Sequence, residues 1–385
     1  MKKAGKAAFG LLGFIFLCLS WGMEAQADEK ENDGFAYIED WLSSCDLGEI
    51  NKGMDSLFPE ANLDAGECLS LIIRGKAQAA FKKVFQGVKD RLAGEVSGIR
   101  QIFIYILVLG VVSALFAEFS DLFAGQQIAQ AGFYFLYLFL MVILTKIFLF
   151  VSQTASAAME DIVLFIKLFI PTYFVAVGTA QGTSSGVYYY QLMLVIAYLV
   201  ESFLCQILIP FIYSYVMLAL LNGLWAEEKL TLLLEFIEKG IVLALKVSMG
   251  AVTGLSLVQA VIVPVASRLK ISAMRKAVSA IPGIGGVAEG VTELMLGSAV
   301  LIKNSMGVFL LILLLGACIT PLFKILVITG TVKLAAAITG IVSDKRLSLC
   351  ADRVGEGCFL LFRCVFTSVA LFIIVIAVVS YTVSS

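Results

Sequence analysis

Histidine is absent from the 385-residue chain. That absence removes histidine acid–base chemistry, Ser-His and Cys-His nucleophiles and imidazole metal ligands together. No G-x-x-x-x-G-K-[ST] stretch occurs, so the chain carries no P-loop for nucleotide hydrolysis. The eight cysteines form no C-x-x-C pair, and the remaining residues build no catalytic or metal-ligating constellation, so no cofactor is expected and the chain reads as non-enzymatic. Charge is scarce too: 15% of residues are charged against 60% hydrophobic, and the net charge is -1. A near-neutral chain offers no overall basic field for nucleic acid. So apolar a composition excludes an ordinary soluble domain and predicts an all-α, polytopic transmembrane helical bundle.

Lys2, Lys3 and Lys6 precede an apolar run from Ala7 to Trp21 and the exit Ala25-Gln26-Ala27. A basic start, a short apolar core and an A-x-A exit predict a signal peptide over residues 1–27. Residues 28–99 then form an exported region with divided charge. Between Asp28 and Cys68 stand twelve acidic and two basic residues; between Leu69 and Ile99, two acidic and six basic. In the second part Leu69, Ile72, Ile73, Ala77, Phe81, Val84, Phe85, Val88, Leu92, Val96 and Ile99 recur at three- and four-residue steps. That spacing predicts an amphipathic helix over 69–99, with Arg74, Lys82, Lys83 and Lys89 off its apolar stripe. Its apolar face has three candidate covers: an anionic membrane surface, a partner, or the chain's own membrane domain. Cys45 and Cys68 lie in this region and are a candidate disulfide if it is exported.

The membrane domain, residues 100–385, is read against the roughly twenty residues a bilayer crossing needs. Apolar runs near 102–118, 132–151, 162–180, 188–222, 241–265, 305–320, 322–342 and 359–383 predict about eight spans. The run 188–222 contains Glu201 and Pro210 and fits one kinked helix or two short passes. Trp225 to Lys239 reads as an interfacial helix leading into the next span. Counting 188–222 once puts two basic groups, Arg268 to Lys276 and Lys345 to Arg363, on the cytoplasmic side, as the positive-inside rule prefers. Between the two spans 305–320 and 322–342 the expected feature is a hairpin at Pro321. Residues 277–302 read as re-entrant or interfacial, since Glu289 and Glu293 would otherwise enter the bilayer core.

Charges at bilayer depth are expensive, about 2.5 to 3.5 kcal/mol each on insertion scales, so partners are expected for them. The candidates are Lys146, Lys167, Glu201, Lys246, Lys324 and Lys333, of which Lys146 and Lys324 can snorkel to an interface. Glu201 is expected to pair with Lys167 or Lys246; a proton- or ion-coupling role is the second reading. The glycine break at Pro282, Gly283, Gly285 and Gly286 has a transporter reading, because interrupted helices expose backbone groups to ligands. Lys303 precedes Asn304, which could cap the helix that follows.

The order and spacing of five segments carry a resemblance. They are Leu71-Ile72-Ile73-Arg74-Gly75-Lys76, Ile281-Pro282-Gly283-Ile284-Gly285-Gly286, Leu301-Ile302-Lys303-Asn304-Ser305-Met306-Gly307, Pro321-Leu322-Phe323-Lys324-Ile325-Leu326 and Lys333-Leu334-Ala335-Ala336-Ala337. Together they resemble the stage III sporulation protein AE family of endospore-forming bacteria. The resemblance implies a multi-pass subunit in the mother-cell membrane around the forespore. It implies partners as well: other subunits of the same sporulation operon complex, a separate ATPase among them, a forespore-side protein across the intermembrane space, and membrane lipid. A homo-oligomer is a further candidate assembly. The implied complex is a channel or feeding apparatus that sustains late forespore gene expression. The alternative is a stand-alone secondary transporter that works through Glu201 and the Pro282 to Gly286 break.

Overall fold

Backbone N–H and C=O groups in apolar surroundings must pair within their own segment, which favours helices wherever leucine, isoleucine and phenylalanine run on. The computed structural model describes residues 48–57, 64–87, 126–181, 195–224, 229–279, 285–342 and 345–381, with single positions at 104, 108, 111 and 112. Within these, no strand occurs. The helices are α1 (Gly48–Leu57), α2 (Ala65–Ile73), α3 (77–87), α4 (Gln126–Gln181), α5 (Val195–Asn222), α6 (Thr231–Ser279), α7 (Gly285–Val342) and α8 (Lys345–Tyr381). Helices α4 to α8 each contain a segment long and apolar enough to cross a membrane, five among the described residues. The expected leader, most of the run near 102–118 and residues 280–284 lie outside the described residues.

Two expected turns are absent. The runs 132–151 and 162–180 both lie in α4, and 305–320 and 322–342 both lie in α7, with Pro321 inside the helix. Pro321 removes one N–H, which would have bonded to the Ala317 carbonyl, but neighbouring bonds and packing carry a membrane helix past such a gap. At 58 residues α7 is about 87 Å long, against a hydrocarbon core of about 30 Å. It therefore needs no reversal to cross, and its two ends stand at opposite ends of the bundle. The same continuity places residues 285–302, expected to be re-entrant or interfacial, in the first turns of α7. Further up the chain, the segment 231–239 joins α6 directly, and α6 runs on through Arg268 to Lys276. Likewise Lys345, Arg346, Arg353 and Arg363 belong to α8 and not to a loop.

In the described part of the run near 188–222, residues 195–222 form one helix, long and apolar enough for a single crossing. This helix relaxes into a π turn at Leu204–Leu208, where the Ile209 N–H reaches back to the Leu204 carbonyl. Pro210 follows at once. A proline ring clashes with the carbonyl four residues earlier, and one widened turn relieves that clash without ending the helix.

Nor is the amphipathic stretch 69–99 one helix. Gly75 adopts φ +73°, Gly75 N–H bonds to the Ile72 carbonyl and Lys76 N–H to the Leu71 carbonyl at 2.8 Å. This is the left-handed glycine stop of a helix, and α3 leaves it in a new direction. At the other end of α2, Asp64 accepts from Glu67 N–H at 2.8 Å and Asn51 of α1 accepts from Ala65 N–H at 2.8 Å. Thus α1 holds the start of α2, and Lys83 of α3 bonds to Glu67 of α2 at 2.5 Å. Leu69, Ile72, Ile73, Ala80 and Val84 are buried in one core with the membrane helices, α2 packing on α7 and α1 on α4. The chain itself thus covers that part of the stripe, while Phe81 and Phe85 stay exposed and residues 88–99 lie outside the described residues.

The centre of the bundle is α8, which touches α4, α5, α6 and α7. Of its apolar window 67% is buried, against 28% for α6, so α8 is the inner helix and α6 an outer one. Its small residues allow this. A Cβ on Gly357 would meet Val216 of α5, and one on Gly355 would stand 2.8 Å from Lys333 Cγ of α7.

Alanine at Gly357 therefore lowers the melting temperature of the detergent-solubilised protein, by an overpacking cost of about 1–3 kcal/mol. At Gly330, where nothing stands within 4 Å of an added Cβ, the same change is neutral or stabilising by up to about 1 kcal/mol. Equal effects at both glycines would contradict the packing. Cysteine placed at Ser279 and at Lys345 reacts with an impermeant thiol reagent from opposite membrane faces; labelling from one face would restore the hairpin at Pro321.

Candidate functional site

Glu201 lies in α5 just ahead of the π turn and is wholly buried. Its partner is Ser368 of α8, whose hydroxyl stands 2.8 Å and 2.7 Å from the two carboxyl oxygens and donates to them. The expected ion pair is not formed, because Lys167 and Lys246 are exposed on the outer faces of α4 and α6. A lysine stem can carry its ammonium outward, whereas a serine on the adjoining inner helix meets the carboxyl directly.

A second polar cluster joins α6, α7 and α8. Lys333 Nζ is 2.6 Å from Glu356 Oε2 and 3.8 Å from Asp352 Oδ1, and Arg353 Nη1 is 3.7 Å from Glu238 Oε2. Arg353 also approaches the buried Tyr215 hydroxyl of α5 without reaching hydrogen-bond geometry. Lys333 and Glu356 are partly buried, so their pair exceeds the 0–1 kcal/mol of an exposed bridge only modestly. Beyond this cluster, Tyr137 of α4 donates to the Leu220 carbonyl of α5 at 2.5 Å and lies 3.2 Å from Cys350 Sγ of α8. Asn222 closes the turn from α5 to α6 by accepting from Leu230 N–H at 2.8 Å.

The other expected residues are scattered. Lys324 stacks over Phe150 at 4.9 Å, and Lys146 is exposed on α4. Asn304 follows Lys303 deep inside α7 and cannot be its N-cap, since the helix begins at Gly285 and continues through Gly286. Pro282 and Gly283 lie outside the described residues, as does Cys45. Cys68 is a buried free thiol of α2, and burial pushes its pKa up. Sequence reasoning missed Ser368, Glu238, Asp352, Arg353 and Glu356 as partners. A signal existed for the last three: on α8 they lie one turn apart, which gathers charge of both signs on adjoining faces.

Among the described residues no three Cys, Asp or Glu side chains stand together to hold a metal ion. What the arrangement does is join helices: Glu201, Lys333, Arg353 and Tyr137 are each met by a group on another helix. Replacing Ser368 with alanine leaves a buried carboxyl unpartnered and lowers stability by about 1–3 kcal/mol, read by thermal melting in detergent. Glu201→Gln has a smaller effect, because an amide still bonds the hydroxyl. Equal stability of Ser368→Ala and the parent would dismiss the pair as a stabilising contact.

The chain matches the model of the family described as stage III sporulation protein AE over residues 63–382. A relative named stage III sporulation protein AE, from Bacillus subtilis (strain 168), is 19% identical over 258 residues. That alignment covers 67% of this chain and 65% of the relative, so it spans just under two thirds of the relative's length. No solved structure matches. The family match takes in α2 and every helix of the bundle, including Glu201, Ser368 and the Lys333 cluster. On that match, the chain belongs to the stage III sporulation protein AE family.

Proposed function

We propose that this protein is a non-enzymatic membrane subunit of a complex that joins mother cell and forespore during sporulation. It sits in the mother-cell membrane around the engulfed forespore, with its amino-terminal region exported towards the space between the membranes. Other subunits of the same complex, a separate ATPase and a forespore-side protein are its partners, and the complex works as a channel or feeding apparatus for late forespore gene expression. The observation that carries this reading is the family match, which extends over residues 63–382, from α2 to α8. The side chains support it: Glu201 and Lys333 are engaged with Ser368 and Glu356 on neighbouring helices, as joints between helices are.

Deletion of the gene in its host tests the proposal. Vegetative growth and engulfment are expected to proceed while late forespore gene expression fails. A growth or uptake defect in vegetative cells would overturn the reading and favour a stand-alone transporter. Complementation with Glu201→Gln separates the two again: a subunit that assembles normally still restores sporulation, whereas a transporter coupled through that carboxyl does not.

A further inference from the structure

The trio α1 to α3 divides its surface by charge and polarity. Helix α3 buries Ala80 and Val84, which are 1% and 2% exposed, against the core. The flank beside it carries Phe81 and Phe85, 38% and 41% exposed, with ring centroids 5.6 Å apart and nearly parallel. Lys76 and Lys82 flank them, both exposed. Residues 74–87 contain no acid at all, although the segment before them is strongly acidic. The neighbouring acid, Glu67, is already engaged by Lys83.

We propose that the outer face of α3 docks on the anionic phospholipid surface of the membrane that the bundle crosses. Three observations favour lipid over a protein. Two phenylalanines one turn apart, rimmed by lysines, match an interface where rings enter the acyl boundary and ammonium groups stay among phosphates. The face is basic and free of acid, so its charge complements anionic headgroups, which attract each nearby lysine. The trio is also fastened to the bundle, since α2 packs on α7 and shares its core, and the glycine stop at Gly75 with the Lys83 to Glu67 bridge sets the direction of α3. A helix so held keeps Phe81 and Phe85 outside the core that Ala80 and Val84 enter, free to meet a surface beyond the chain.

The test uses the full chain in lipid nanodiscs, with Phe81→Trp as reporter and the parent chain as the background for native tryptophans. In discs of phosphatidylcholine and phosphatidylglycerol, brominated acyl chains are expected to quench the added tryptophan, and acrylamide to reach it poorly. Phosphatidylcholine alone, high salt, or Lys76→Glu with Lys82→Glu should weaken both effects. Phe85→Trp, one turn along the same face, repeats the measurement if Phe81→Trp fails to fold. Acrylamide access equal to that in detergent would overturn the proposal. So would shielding without bromine quenching that grows with the number of chains per disc, which would assign the face to a second copy. Because nothing here depends on sporulation, failure of the lipid reading leaves the proposed cellular role intact, and the converse holds.

Discussion

A charge taken out of water needs a partner inside the protein, and the charges Glu201, Glu238 and Lys333 of three different helices all find theirs on α8. Ser368 answers Glu201 of α5, Glu356 and Asp352 answer Lys333 of α7, Arg353 answers Glu238 of α6, and Cys350 lies against Tyr137 of α4. Ser348 adds a bond to the Ala336 carbonyl of α7 at 2.8 Å. Apolar packing between membrane helices has little of the driving force it has in water, because lipid tails solvate leucine as well as another leucine does. Close approach at glycine and directed polar contacts are what remain to select one arrangement. Helix α8 supplies both, through Gly355, Gly357 and its inward polar side chains.

The helical, membrane-crossing class was legible in the sequence because it depends on composition and run length, which tertiary context barely changes. Near 188–222 the sequence left one kinked helix and two short passes both open; Pro210 announced a local irregularity, and the π turn is how the one helix Val195–Asn222 accommodates it. Pro321 misled, because proline ends helices in water, where the freed carbonyl finds a solvent partner, but is tolerated where packing holds the helix on both sides. The stop at Gly75 was readable in principle, since glycine after a helical run is a common end signal, yet a continuous apolar periodicity outweighed it. At the candidate site, Glu201 and Lys333 stood out as costly charges, but their partners did not. Periodicity within one segment says nothing about which neighbour a helix will face, so Ser368 and Glu356 had to come from packing.

Membership of the sporulation family gives this architecture a setting. Its inner charges are engaged between helices, as Lys333 is with Glu356, while its outer helices turn apolar side chains outward. The described outer surface of α6 is long and apolar, with Leu232, Phe236, Leu243, Val247 and Leu257 all exposed. Lipid can cover such a face, and so can neighbouring helices of a larger assembly. The trio α1 to α3 is different in kind: small, with α2 capped at both ends, and tied to the bundle by buried residues such as Leu69, Ile72, Ala80 and Val84.

The central position of α8 also imposes an order on biogenesis. Helices α4 to α7 precede it in the chain and leave the ribosome first, so Glu201, Glu238 and Lys333 enter the membrane before the residues that bond to them have been made. Until α8 arrives, the four earlier helices lack the element that touches all of them. Its arrival fills the middle of the bundle and satisfies the waiting groups in one step, which makes the last helix described here the one that commits the fold.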